Sequence, residues 1–113
     1  MKDYVLLFRV GPRFLQASPE ELQQILLQSK EWIGSIAQGG KLNGVVRLQR
    51  SGAVLRGKKQ QLTDGPLTED EKMVNGIVTV KAGSLEEAIA IAKGNPIFEY
   101  EGVMEIREVA SNN

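Results

Sequence analysis

From Asp3 to Val10 the chain reads as an extended segment with Tyr4, Leu6, Phe8 and Val10 on one side and Val5 and Leu7 on the other. A strand that is apolar on both faces predicts a place in the middle of a covered sheet. Gly11-Pro12 breaks it, and Ser18-Pro19-Glu20-Glu21 then supplies a helix start. Ser18 can accept from the amide of Glu21, Glu21 can reach back, and Pro19 gives up no donor the helix needs. Leu22, Ile25, Leu26, Ile33 and Ile36 recur at steps of three and four, so one apolar stripe is expected to run to about Gln38, where Gly39-Gly40 provide a left-handed stop.

After this helix the period changes to two. Val45, Val46 and Leu48, then Ala53, Val54 and Leu55, flank the turn-forming pair Ser51-Gly52, which predicts a hairpin or one bent strand over Leu42 to Gly57. Gly76 to Ala82 is rich in β-branched residues and reads as another strand. Ser84-Leu85-Glu86-Glu87 repeats the capping box, Leu85, Ala88, Ile89 and Ala92 form the apolar face of a second helix, and Gly94-Asn95-Pro96 end it. A final strand is expected from Val103 to Val109, followed by a frayed tail at Ser111-Asn112-Asn113.

The predicted fold class is therefore α+β, with the order β-α-β-β-α-β of a ferredoxin-like antiparallel sheet. The right-handed crossover rule puts both helices on one face. The other face would then expose apolar side chains of the first strand, and a second copy of the same sheet is the simplest cover, so a homodimer packed sheet face to sheet face is expected.

Composition narrows the chemistry. At 113 residues the chain fits one domain, and 42% hydrophobic with 25% charged residues is the balance of a soluble globular protein. The apolar run from Tyr4 to Phe8 is too short for a membrane span or a signal-peptide core, so a cytoplasmic location is expected and no membrane partner. With no cysteine and no histidine the chain has no disulfide, no thiolate nucleophile, no Ser-His-Asp triad and no histidine-held haem. No metal and no cofactor is expected. Lys+Arg and Asp+Glu both number 14, so no net field draws in a polyanion. Charge is uneven locally: Arg47, Arg50, Arg56, Lys58 and Lys59 come without an acid among them, and Asp64, Glu69, Asp70 and Glu71 follow with Lys72 as the offset. RNA-recognition modules share the element order, but they stack bases on strand aromatics, and Ile77-Val78-Thr79-Val80 offers none, so no nucleic-acid partner is expected.

The segment Thr63-Asp64-Gly65-Pro66-Leu67-Thr68-Glu69, followed by Asn75-Gly76, a strand and Ser84-Leu85-Glu86-Glu87-Ala88, resembles the YCII-related family, particularly its DGPF-type branch. Asp64, Gly65, Pro66, Glu69, Gly76, Leu85, Glu87, Ala88, Pro96, Glu105, Ile106 and Arg107 fit the family pattern across residues 1–113. Leu67 replaces the motif's Phe, Asn75 one Gly and Ile77 an aromatic, and the long helix lacks the histidine that some YCII-like proteins pair with an aspartate as a proposed catalytic dyad. The resemblance implies a dimeric α+β barrel built from a single YCII-like domain, a cytoplasmic location, and an enzymatic or ligand-binding role of undefined kind.

The candidate residues each have a plain alternative. Asp64 could serve as a general base if burial raised its pKa, yet Asp before Gly-Pro is also ordinary turn chemistry. Arg47 and Arg56 could hold a carboxylate or phosphate, or stay in solvent or pair with Glu69 or Asp70. Tyr4 could place its hydroxyl at a pocket rim, or pack in the core. Trp32 falls one position off the helix stripe and could face a partner, and Lys72 is the amine nearest the acidic loop. Two functions stay open: a small-molecule enzyme or binder for an anionic or aromatic ligand near the Asp64 loop, with proton-transfer chemistry if any, and a non-catalytic dimeric structural or regulatory module.

Overall fold

Strand β1 (Lys2–Val10) lies at the centre of the sheet, as its two apolar faces require, with antiparallel neighbours β6 (Lys72–Ala82) and β7 (Val103–Glu108). The computed structural model of the chain describes residues 1–111. Of the expected frayed tail, Asn112 and Asn113 lie outside the described residues. Strand β2 (Leu42–Arg47) pairs the far edge of β6, giving the order β2-β6-β1-β7, and the two-residue β5 (Thr68–Glu69) pairs the beginning of β6. Every pairing in the sheet is antiparallel, and the fold is mixed α and β.

Among the described residues three α-helices accompany it: α1 (Pro12–Leu15), α2 (Pro19–Gln38) and α3 (Leu85–Ala92), with a 3-10 helix at Pro96–Tyr100. The capping box of α2 forms in full: the Ser18 hydroxyl accepts from the Glu21 amide at 3.1 Å, and Glu21 accepts from the Ser18 amide at 2.9 Å. At the other end Gly40, at φ +72°, is the left-handed residue. The box on α3 forms by half. Ser84 caps the Glu87 amide, but the Glu87 carboxylate turns to the Gly83 amide and to Lys41 instead of the Ser84 amide.

Helices α2 and α3 share one core. Trp32 and Ile36 of α2 and Ala88 and Ala92 of α3 pack with Tyr4, Leu6, Val78 and Val80 from one face of the sheet. Trp32, for which the sequence leaves both a partner-facing place and an ordinary half-buried one open, points inward at 7% exposure, and the buried stripe of α2 is Ile25-Trp32-Ile36, with Leu26 turned to solvent. The physical reason is a hydrogen bond: its indole Nε1 donates to the Ile91 carbonyl at 2.8 Å, which satisfies the one polar atom of the ring and ties the two helices together.

Two features depart from simple alternation. Along β6 the partners run Phe8↔Gly76 and then Arg9↔Val74, so Asn75 is an extra residue, a β-bulge, and beyond it Met73 joins Val10 and Ile97 in a second buried cluster. The hairpin expected at Ser51-Gly52 does not form. Strands β3 (Ala53–Arg56) and β4 (Gln61–Asp64) pair with each other around Gly57 to Gln60, as a two-stranded ribbon separate from the sheet. Gly57 and Gln60 take positive φ there, and the Gln60 amide closes on the Gly57 carbonyl at 3.0 Å, a turn that the stretch Gly57-Lys58-Lys59-Gln60 does not advertise. Among the described residues no helix is long and apolar enough to cross a membrane.

Candidate ligand-binding site

The sheet register sets the site. Arg47 of β2 lies opposite Gly76 of β6, and Gly76 lies opposite Phe8 of β1, so the three share the face that carries the helices. Gly76 is forced at this place: a Cβ there would stand 2.7 Å from the Phe8 ring and 3.1 Å from the Val46 carbonyl oxygen. Above the missing side chain, between this end of the sheet and α2, is a cavity of about 340 Å³. Phe8, Phe14, Ile25, Trp32, Ile33 and Ile97 supply apolar walls, and Ser29, Arg47, Gln49, Asn75 and Asn95 add polar groups. That volume falls in the lower part of the roughly 300–1,000 Å³ usual for small-molecule sites.

Two of the polar groups stand out. Asn95 is 6% exposed, and its Oδ1 accepts from the Ile97 amide at 2.8 Å, capping the 3-10 helix. This bond fixes the orientation of the amide and leaves Nδ2 as a donor with no partner among the described residues. No side-chain nitrogen or oxygen is both sealed from solvent and unpartnered among the described residues, so this Nδ2 remains reachable from a cavity. Arg47 is exposed and makes no ion pair among the described residues. One cation thus stands among apolar and neutral polar groups, and among the described residues the cavity lining contains no carboxylate, lysine or tyrosine.

The other candidates lie elsewhere. Asp64 is the last residue of β4, exposed, beside Gly65 at φ +83°, whose amide donates to the Gly52 carbonyl at 2.7 Å. Its carboxylate makes no hydrogen bond or ion pair among the described residues and does not line the cavity beneath α2. Arg56 is exposed on the ribbon. Tyr4 is 2% exposed within the core. Glu69 borders a more open groove on the other side of the sheet with Arg9, Asp70, Lys72 and Glu105, where Arg9 pairs with Glu105 at 3.1 Å and Lys72 approaches Asp70 at 3.9 Å. Of the sequence candidates, Arg47 and Trp32 line the apolar cavity, and Arg47 is the charged one. Sequence reasoning missed Asn95, which sits in a segment read as a helix stop.

Two carboxylates are tuned by ion pairs, and both do structural work. The Arg13 guanidinium, 2.8 Å from Glu21, holds that carboxyl down at about 2, helped by the Ser18 amide at the cap. Lys41 and then the Gly83 amide hold Glu87 below the usual carboxylate range. Among the described residues no three His, Cys, Asp or Glu side chains come together as a metal site.

No curated protein matches the chain. The family model for the YCII-related domain matches residues 4–112, nearly the full length, and the chain belongs to that family.

Proposed function

We propose that this chain is a non-catalytic binding protein for a small organic anion, held in the cavity beneath α2 with its charged end at Arg47 and its apolar body against Phe8 and Trp32. The observation that carries the reading is a largely apolar cavity whose lining includes both Arg47, which makes no ion pair among the described residues, and the buried Asn95, whose Oδ1 is already engaged. A guanidinium fork and an amide N–H are matched to a carboxylate, and desolvated walls favour an aromatic or branched aliphatic body. Binding is favoured over proton transfer because a general base must lie within about 3 Å of the proton it takes, and the lining holds no group that ionises to serve as one.

The same reading takes the sheet order β2-β6-β1-β7 as a ferredoxin-like core with the β3–β4 ribbon and β5 inserted, and Asp64-Gly65-Pro66 as the turn motif of the DGPF-type branch. It takes the working form as a homodimer whose uncovered sheet faces meet. Val5, Leu7, Val46 and Ile77 fall on that face by register and support such a contact.

Thermal-shift and calorimetric titrations with phenylacetate and hexanoate, against phenylacetamide as the uncharged analogue, test the binding site. The carboxylates should stabilise the protein and the amide should do so less. Arg47→Ala should weaken carboxylate binding about tenfold, a discounted value for a solvent-exposed charge, and Asp64→Asn should leave it unchanged. No stabilisation by either carboxylate, or a loss confined to Asp64→Asn, would remove the reading.

A further inference from the structure

We infer that the β3–β4 ribbon is a clasp for a second copy of this chain, its Leu55–Leu62 face lying on the partner's uncovered sheet face and its basic turn meeting the partner's acidic β5–β6 turn. The inference rests on the dimer reading above and adds to it the element that grips.

A two-stranded ribbon alone in water is marginally stable at best, and needs a third strand or a packed face. Among the described residues this ribbon has neither: of its eight strand residues Val54 alone is partly buried, and β3 and β4 pair with no other described strand. Leu55 and Leu62 are direct cross-strand partners on one side of it, 65% and 64% exposed. Two large apolar side chains set side by side on a projecting arm are a contact surface without its partner. The uncovered sheet face, with Val5, Leu7 and Ile77 only partly buried, is apolar surface of the matching kind.

Charge selects the same occupant. At the tip of the ribbon Arg56, Lys58 and Lys59 have no carboxylate partner among the described residues. At the β5–β6 turn Glu69 and Glu71 have no cation partner among the described residues, and Glu69 stands beside the groove that opens on the uncovered face at Arg9 and Glu105. A two-fold axis turns one such contact into two, with each ribbon on the other copy. A polyanion would satisfy the basic tip and leave both leucines in water, whereas a second copy satisfies both.

Sedimentation equilibrium at low and high salt tests the clasp, with circular dichroism confirming that each variant is folded. Wild type should be a dimer whose dissociation constant rises with salt. Leu55→Asp combined with Leu62→Asp should raise that constant at least tenfold. Lys58→Glu with Lys59→Glu should weaken the dimer, as should Glu69→Lys with Glu71→Lys in a separate protein. Mixing these two charge-reversed proteins should restore dimers, because each arm then meets an opposite charge on the other copy. A dimeric wild type whose ribbon variants associate equally well would overturn the clasp while leaving the face-to-face dimer intact. A monomeric wild type would overturn both. Loss of binding to a single-stranded oligonucleotide in Lys58→Glu/Lys59→Glu, with dimerisation unaltered, would also overturn it and mark the ribbon as a polyanion contact.

Discussion

Replacing Trp32 with Phe isolates the tie between α2 and α3. The substitution keeps an aromatic ring in the core and removes the indole N–H that reaches the Ile91 carbonyl at 2.8 Å. That carbonyl also accepts from the Gly94 amide at 3.3 Å, so it is not orphaned by the change. The hydrogen-bond loss is then the net value of about 0.5–1.5 kcal/mol, without the larger penalty of an unsatisfied buried group. The smaller ring leaves a void of roughly 30 Å³, one water's share of liquid volume. At about 24 cal/mol per Å³ that adds roughly 0.7 kcal/mol. Together the variant should lose about 1–2 kcal/mol, or roughly 4–10 °C in Tm for a chain of this length. Urea unfolding followed by far-UV circular dichroism is the assay, because the substitution removes the single tryptophan that fluorescence would read. Leu27→Ala, on the same helix at 53% exposure, should stay within about 0.5 kcal/mol of wild type. If Trp32→Phe unfolds at the same urea concentration as wild type, the indole bond does not hold the helices together and the account of Trp32 is wrong.

Two further outcomes follow from the same geometry. Gly76→Ala drives the Phe8 ring from a position 2.7 Å from the new Cβ, and the room available to it is the cavity itself. The cost should be about 1–3 kcal/mol by thermal denaturation, and carboxylate binding should weaken because the displaced ring fills the site. In acid, Glu21 governs one loss of stability: its folded pKa of about 2 lies below its ordinary 4.5, so the stabilisation is complete above pH 4.5 and fades as pH falls toward 2. Arg13→Ala should flatten that part of a Tm-against-pH curve, and an unchanged slope in the variant would discount the pair.

Elements with local signatures are legible in the amino-acid sequence. Strand β1 announces its central place by carrying apolar residues on both faces, and Ser18 with Glu21 announces the start of α2, because each signal is complete within a few residues. The β3–β4 ribbon is hidden, since a period of two across Leu42 to Leu55 marks extended chain without saying which strand pairs with which. The 3-10 helix and α1 are hidden for a related reason: prolines that stop one element also open the next. Of the site, the sequence reveals Arg47 as a candidate and conceals its surroundings. The cavity exists because Arg47, Gly76 and Phe8, distant along the chain, line up across three strands, and no short window of sequence carries that alignment.

The surplus residue at Asn75 has a reach beyond its own position. Because the ladder bulges it out, Met73 stays in the greasy layer beside Val10, so the parity of everything ahead of it in β6 hangs on that one residue being absorbed. A ladder that ran straight through Asn75 would turn Met73 to the opposite side of the sheet and lift a thioether away from Ile97, whereas a chain shortened by Asn75 would keep Val74 on Arg9 and Met73 on Val10. Homologues one residue shorter at this spot would therefore keep the same order of hydrophobic and charged positions in the preceding segment, because the loss of the residue and the loss of the bulge cancel.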